Sequence, residues 1–357
     1  MLKKSSFSYL ARQEERLAFL LLIPSFIILV VIAFYPLGSV FVSSFTNRQF
    51  GTGTQTQYIG LQNYKNLLTF KIVELPPIID PATGQPQINP KTGQIVYENS
   101  FNVLPKSPVL YHDIQQFTLF GKRYVIGAID GYFLPSIRDT LVYSVSSVIL
   151  ELILGLIIAL VVNTSFKGRG AMRAIMLIPW AIPTAVSSRM WQWMFQPSRV
   201  GLFNVVTQWF GITNGQFSFM TDPSFQIPAM IIIDVWKTTP FMALLLLAGL
   251  QLISPDLYEA ANVDGANKIR QFLAITLPLL RPTIAIALIF RTLDALRVFD
   301  LFQIVLAQSR FSMASYTYYQ LVGNAQMGLS SAASVVIFIL ILIFAVIYIR
   351  TLGVEQE

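Results

Sequence analysis

The chain of 357 residues has no cysteine and only one histidine, His112. Without thiols there is neither a disulfide framework nor a thiolate metal site, and the redox compartment is left open. A lone loop histidine with no second ligand type around it makes no metal set either. Charge is equally scarce: Asp, Glu, Lys and Arg together make up 12% of the residues, against 54% apolar. So few charges cannot cover a soluble globule of this length, which places the chain in a bilayer. The formal net charge is +7, but Lys and Arg are scattered between long apolar runs and form no basic stripe, which argues against a nucleic-acid partner. No segment fits G-x4-G-K-[ST], the loop whose backbone amides cradle nucleotide phosphates, and no nucleophile–base pair or ligand cluster is spaced for chemistry. The chain is not read as an enzyme.

What is present is length of apolar sequence. Runs near 20 residues occur at about 17–42, 136–164, 173–196, 227–252, 282–307 and 332–351, each long enough to cross the hydrocarbon layer as a helix. The first follows Lys3, Lys4, Arg12 and Arg16 and exceeds the roughly 7–15 apolar residues of a cleaved signal, so it is read as a retained span. Pro24, Pro179, Pro183 and Pro240 lie inside spans, where neighbouring helices satisfy the freed carbonyls. Positive charge collects at the N-terminus, at 165–172 with Lys167, Arg169 and adjoining Arg173, and at 253–281 with Lys268, Arg270 and Arg281. The positive-inside rule puts all three in the cytoplasm with both termini, as an even number of spans requires, and Arg350 agrees.

The expected fold is therefore an all-α polytopic membrane protein of six transmembrane helices. Its parts are a cytoplasmic N-terminus at 1–16, a first span at 17–42, an extracytoplasmic insertion at 43–135, a transmembrane core at 136–351 with a cytoplasmic loop at 253–281, and a cytoplasmic tail at 352–357. The insertion is polar and rich in Pro, Gly, Gln and Asn. In it Asp80-Pro81-Ala82-Thr83-Gly84-Gln85 is echoed by Asn89-Pro90-Lys91-Thr92-Gly93-Gln94, both with the Pro and Gly positions of tight turns. Short strands are expected here, with a hairpin of Phe117–Phe120 and Tyr124–Ile126 around Gly121-Lys122-Arg123.

Ionisable residues inside spans are costly and either pair or line a wet cavity. Glu151, Asp234, Asp294 and Asp300 are matched in number by Arg189, Lys237, Arg291 and Arg297, which suggests internal pairing. Asp234 with Lys237, and Arg291 with Asp294, are three apart on a helix and within reach. Steps of three lag the helical repeat by about 60°, so Arg291 and Asp300 would sit on opposite sides of a regular helix and could not share one pathway. Arg291 and Asp294 are the leading pathway candidates, joined by Asp234, Lys237 and the aromatics Trp193, Trp236, Phe299 and Phe302 of the same spans. Each charge either lines a pathway or locks helices together, and each ring either stacks on a solute or anchors the chain at the interface; both readings stand open.

The 253–281 loop is the most informative segment. Ser254-Pro255-Asp256 opens a helix, with Ser as N-cap, Pro at the first position and Asp at the positive end of the dipole. Ala260 and Ala261 let another surface come close, Gly265 permits a sharp change of direction, and Pro278 is expected to end a second apolar helix, Phe272–Leu277. Glu259 and Asp264 add acid to the leading half.

Glu259-Ala260-Ala261, Gly265, Ile275, Leu277 and Pro278 fit every fixed position of E-A-A-x3-G-x9-I-x-L-P, so the loop resembles the EAA motif of ABC importer permeases. Asp264-Gly265-Ala266 and Ile275–Leu280 look like the carbohydrate branch, above all the larger membrane subunit of maltose-type systems. Gly60-Leu61-Gln62-Asn63-Tyr64, Asn204 after Gly201, Trp236 with Pro240-Phe241, and Val298-Phe299-Asp300 are similar to that branch as well. The resemblance implies a multi-pass permease of a bacterial or archaeal inner membrane, importing a di- or oligosaccharide. It further implies a second permease subunit, two ATPase subunits gripped through the EAA loop, an extracytoplasmic solute-binding protein and surrounding lipid. ATP and Mg would sit on the ATPases, with no cofactor in this chain. A polyol, glycerol phosphate or glycosylated compatible solute is an alternative cargo, and an ion-coupled transporter or channel an alternative class. The chain departs from the branch after Asp300, where Ala307-Gln308-Ser309-Arg310 replaces a Gly-Gly-Pro turn, and in its longer insertion near 69–135.

Overall fold

Long apolar segments have no partners for their backbone amides except their own carbonyls once water is excluded, and helices are the result. The computed structural model describes residues 9–198 and 200–351. Lys3, Lys4 and the 352–357 tail, both expected in the cytoplasm, lie outside the described residues. Among the described residues five helices are long and apolar enough to cross a membrane, or six if one sharply bent pair counts as a single span.

Helix α1 (Tyr9–Leu29) passes through a π turn at Val30–Phe34 into α2 (Tyr35–Ser43). The Tyr35 amide reaches back five residues to the Val30 carbonyl, which widens the helix just before Pro36 and makes room for a ring that would otherwise strike the preceding turn. Large apolar side chains along this span, Leu21, Ile27 and Ile32 among them, face outward from the chain. Helix α3 (Gln62–Leu68) follows, held by buried Asn63, whose Nδ2 donates to the Ser44 and Thr46 carbonyls at 2.9 Å each.

The insertion contains strand β1 (Phe70–Leu75), helix α4 (Ser100–Val103), and strands β2 (His112–Leu119) and β3 (Lys122–Ala128). They form an antiparallel sheet of order β1-β3-β2, with Val73 and Gln116 flanking Val125. The expected hairpin is the tip of the longer β2–β3 pair, but Lys122 and Arg123, expected in its turn, already pair with Leu119 and Thr118. The turn is instead Phe120 and Gly121, both with positive φ, at 48° and 77°, as a type I′ turn requires. The doubled turns share one geometry: the Gly84 and Gly93 amides donate to the Asp80 and Asn89 carbonyls, while the side chains of Asp80 and Asn89 accept from Ala82 and Lys91 at 2.9 Å.

Helix α5 (Phe133–Asn163) begins the membrane core. The expected single span at 173–196 is instead broken into α6 (Arg169–Ile175), α7 (Ile178–Ala181) and α8 (Thr184–Met194), bent by 86° at the break. Proline is the cause: it disfavours the α conformation in the residue before it, and Ile182 is accordingly extended with ψ 129° ahead of Pro183. Helix α9 (Leu202–Trp209) is pinned by buried Asn204, which bonds the Gln196 and Phe217 carbonyls at 2.7 and 3.0 Å. Helix α10 (Pro223–Leu250) runs beside α5.

After α10 come α11 (Pro255–Val263) and α12 (Lys268–Gln271); a π turn at Phe272–Thr276 then joins α12 to α13 (Leu277–Ala295). Pro278 therefore does not end the second helix of the loop. The Leu277 amide bonds Phe272 five residues back, the same accommodation seen before Pro36, and the helix continues into the membrane core. The fifth span is not one regular helix through 307 either. It stops after Ala295, and α14 (Asp300–Val305) starts afresh, followed by α15 (Met313–Tyr318) and, after a π turn at Tyr319–Gly323, α16 (Met327–Thr351). Tyr143, Trp191, Met230 and Phe302 centre one apolar cluster of this core, and Ala159, Met242, Leu246 and Leu280 another.

Gly155 lets α5 and α10 approach closely: a β-carbon there would meet Met242 Cγ at 2.8 Å and the Ala243 nitrogen at 3.2 Å. Gly155→Val should lower stability by about 1–3 kcal/mol through overpacking, seen as a lower thermal transition of the detergent-purified protein; an unchanged transition would mean the helices are not packed this way.

Candidate functional site

Glu151 lies halfway along α5 and is fully buried. A carboxylate so placed is stable only with a cation and donors around it. Arg291 of α13 supplies both. Its Nε and Nη2 grip the Glu151 oxygens at 2.5 and 2.7 Å, Nη2 also reaches Asp234 Oδ2 of α10 at 3.0 Å, and Nη1 reaches Asp294 Oδ2 at 2.7 Å. The Thr238 hydroxyl donates to Glu151 as well. One planar guanidinium thus holds three carboxylates from three helices, an arrangement its fork of donors suits and a lysine could not reproduce.

The expected balance of four acids and four bases does not form. Arg189 lies on the surface and donates to Gln192, and Arg297 Nε donates to the Leu293 carbonyl. Arg291 pairs with Asp294 as expected. Lys237 makes no ion pair with Asp234; its Nζ donates to the Ile182 carbonyl at 2.6 Å and the Trp180 carbonyl at 3.4 Å. Those carbonyls are left free by the proline break, and a cation at a helix C-terminus meets both the missing donors and the dipole. Trp180, in the helix just before the bend, stacks on Phe241 of α10 at 5.7 Å.

Above the Arg291 cluster is a cavity of about 210 Å³. Asp234, Lys237, Arg291, Asp294 and Phe299 line it, with Arg297 and Asp300 beside them and Thr184, Ser187 and Ser188 of α8 opposite. The expectation that Arg291 and Asp300 must face apart is overturned. Beyond Asp294 the bonds shorten to three-residue steps, Arg297 to Asp294 and Val298 to Ala295, so the helix tightens, ends and turns its next residues back to the same wall. Ser188 of α8 also lines the cavity, and its Oγ is buried without a hydrogen-bond partner. The other aromatic candidates lie elsewhere. Phe302 is buried edge-on against Tyr143 at 5.4 Å, Trp236 packs on Trp191 at 5.5 Å, and Trp193 is 71% exposed on the outside of the chain. Carboxylate oxygens and hydroxyls around a partly open space are suited to a solute rich in hydroxyl groups. Glu151 is the residue that the candidate set lacked; it is the one charged side chain in the apolar stretch of α5 that follows Asp139, and that isolation was the signal for it.

The loop after α10 is well built. The Ser254 side chain caps α11 and Pro255 opens it; at the other end the Ala266 amide bonds Ala261 at 2.9 Å, the Gly265 amide bonds Asn262 at 3.1 Å, and Gly265 has φ 72°. This is a Schellman closure, in which glycine takes the left-handed position at no steric cost. Buried Gln271 fastens α12 to α11 through Asn262 and the Ala266 carbonyl at 2.6 and 2.9 Å, and Tyr258 meets Thr276 at 2.9 Å. Glu259, Ala260, Asp264 and Gly265 are exposed, Ala261 and Ala266 half-buried, and Ile275, Leu277 and Pro278 half-buried in the continuing helix. Leu257, Val263, Ile269 and Leu273 are exposed too, Val263 by 88%. The loop therefore presents apolar side chains that the motif positions alone do not include.

The sequence pattern of the binding-protein-dependent transport system inner membrane components matches residues 151–352. The chain is 46% identical over 217 residues to the trehalose/maltose transport system permease protein MalF of Thermococcus litoralis, covering 59% of this chain and 72% of that one. It is 32% identical over 342 residues to the trehalose transport system permease protein SugA of Mycobacterium tuberculosis, covering 95% and 90%. With the sulfoquinovosyl glycerol transport system permease protein SmoG of Agrobacterium fabrum the identity is 31% over 347 residues, covering 96% and 92%. A bacterial ABC transporter involved in the import of the acidic polysaccharide alginate has the same fold, with a TM-score of 0.69 at 20% identity over 98% of this chain and 100% of that one.

Arg291→Met should be among the most damaging single changes, since it strands three carboxylates; removing one partner of a buried pair typically costs about 3–5 kcal/mol. The yield of monodisperse protein should collapse, with Arg291→Lys recovering part of it. Normal yield and stability for the Met variant would refute the central role of the cluster.

Proposed function

Since the chain belongs to the family of binding-protein-dependent transport system inner membrane components, the permeases of ABC importers, we propose that it is the larger permease subunit of an importer of a di- or oligosaccharide. It is a transport subunit and not an enzyme. Trehalose, maltose and sulfoquinovosyl glycerol, the cargoes in the relatives' names, are all glycosides, and this supports a glycoside over a simple polyol or glycerol phosphate.

One observation carries the mechanism. From Lys268 through the π turn to Ala295 the chain is a single helix, about 40 Å long by helical rise. Its start is fastened to the Glu259–Gly265 turn and its end carries Arg291 and Asp294 to the cavity. A separate ATPase, holding ATP and Mg, would grip the exposed face of α11 and the turn after it, with Val263 and Ile269 as apolar contacts around Glu259, Ala260, Ala261 and Asp264. Displacement of the turn then moves the helix as a rod and reshapes the cavity wall.

In this reading the sheet of 43–135 lies outside the membrane and the 253–281 loop in the cytoplasm with both termini. The bent α6–α8 segment counts as the third of six spans. A second permease supplies the other half of the pathway, two ATPase subunits drive it, and an extracytoplasmic binding protein delivers the sugar. Lipid meets the outward-facing side chains of the first span. Asp234, Lys237, Arg291, Asp294 and Phe299 contribute to the pathway, while Trp193, Trp236 and Phe302 serve packing and anchoring.

Two variants test the two ends of the rod. No atom lies within 4 Å of a β-carbon placed on Gly265, so the internal cost of Gly265→Arg is the left-handed φ alone, about 1–2 kcal/mol. In proteoliposomes containing the full transporter it should leave ATP hydrolysis running while sugar uptake drops roughly tenfold or more; intact coupled uptake would count against docking at this turn. Asp294→Asn should raise the half-saturating sugar concentration about tenfold, in line with loss of a charge-assisted hydrogen bond, with assembly preserved; equal loss of assembly and uptake would make Asp294 a structural residue only.

A further inference from the structure

The segment from Leu296 to Ser312 carries Arg297, Val298, Phe299 and Asp300 to the cavity wall, and its own backbone is strained. Ala307 sits at φ 49°, a left-handed conformation that costs an L-residue energy. Contacts from elsewhere hold it. Arg310 grips both Asp139 oxygens of α5 at 2.5 and 2.9 Å and donates to the Pro223 carbonyl at the start of α10 at 2.7 Å. Ser312 Oγ donates to the Val298 carbonyl at 2.6 Å, so the lock at Arg310 and the cavity wall belong to one closed hairpin.

Asp139 is shared. Arg138 holds it at 2.9 and 3.0 Å, and the free arm of Arg138 donates to Gln115 Oε1 on β2 at 2.8 Å. A connected path therefore leads from the sheet through Arg138, Asp139 and Arg310 to the hairpin and the cavity. The sharing also makes the lock releasable. If Arg310 leaves, Asp139, whose side chain is only 4% exposed, keeps a cationic partner, so opening does not strand a bare buried carboxylate.

We propose that Asp139 and Arg310 are positioning residues of transport: their pair holds the 296–312 hairpin closed over the extracytoplasmic end of the cavity, and Arg138 with Gln115 ties that closure to the sheet. The proposal rests on the orientation given above, with the sheet outside. Displacing the sheet, as a docking protein would, loosens the cavity's outer wall without any contact to the solute.

The absence of cysteine provides a direct test. Thr184→Cys places the only thiol of this chain on the cavity wall, and its reaction with a membrane-impermeant maleimide is followed in the full transporter in proteoliposomes, with reagent on one side at a time. Adding Arg310→Gln should speed labelling from the extracytoplasmic side at least about tenfold, as expected for removing one half of a largely buried pair. Arg310→Lys should fall between the two, and Gln115→Ala should give a smaller increase. If the Arg310→Gln protein does not assemble, Asp139→Asn is read in its place by the same criterion. Rates unchanged from both sides would overturn the lock and leave the orientation standing. Acceleration confined to the cytoplasmic side would overturn the orientation, and the proposal with it.

Discussion

Arg291 meets Glu151 of α5, Asp234 of α10 and Asp294 of its own helix. Four charges at this depth are tolerable only together, because each alone would lose its hydration with nothing in return. The cluster therefore fixes the relative depth of three helices. It also sets the chemistry of the cavity above it, where Asp294 is half free and the guanidinium is almost fully engaged.

Around that fixed point the helices are interrupted in particular places. Two prolines, Pro36 and Pro278, each follow a π turn and leave their helices continuous. Pro183 has no such turn before it, and the chain there bends sharply and is stabilised by Lys237. The third interruption, after Ala295, involves no proline and swings Asp300 back to the wall that holds Arg291. Continuity from the loop to the cavity suits a rod that transmits displacement, and interruption around the cavity suits walls that rearrange.

The same division extends outward. The hairpin beyond the cavity is anchored by Arg310 on Asp139, and Asp139 is linked through Arg138 to the sheet. The long helix reaches the cavity from the other end, so both ends of the molecule meet the same small set of side chains. Under the proposed function, a solute site placed there responds to events at either face.

Several features followed from the sequence alone because they depend on neighbours close along the chain. Apolar runs and their charged flanks indicated helices and membrane residence; Ser254, Pro255 and Gly265 set out a capped helix and a sharp turn; the hairpin near Gly121, though not its exact turn residues, and the doubled Asp80 and Asn89 turns are local in the same way. The EAA spacing located the loop. Tertiary structure alone decided how many carboxylates one arginine would hold, since Glu151 and Arg291 are 140 residues apart. It also decided whether a proline breaks a helix: the same ring is absorbed by a π turn at Pro278 and produces a bend at Pro183, where Lys237 from α10 meets the freed carbonyls. Helical spacing placed Arg291 and Asp300 on opposite sides, but spacing holds only while the helix does. The break after Ala295 is a property of the packed molecule, and it is what turns a line of alternating charges into the wall of one cavity.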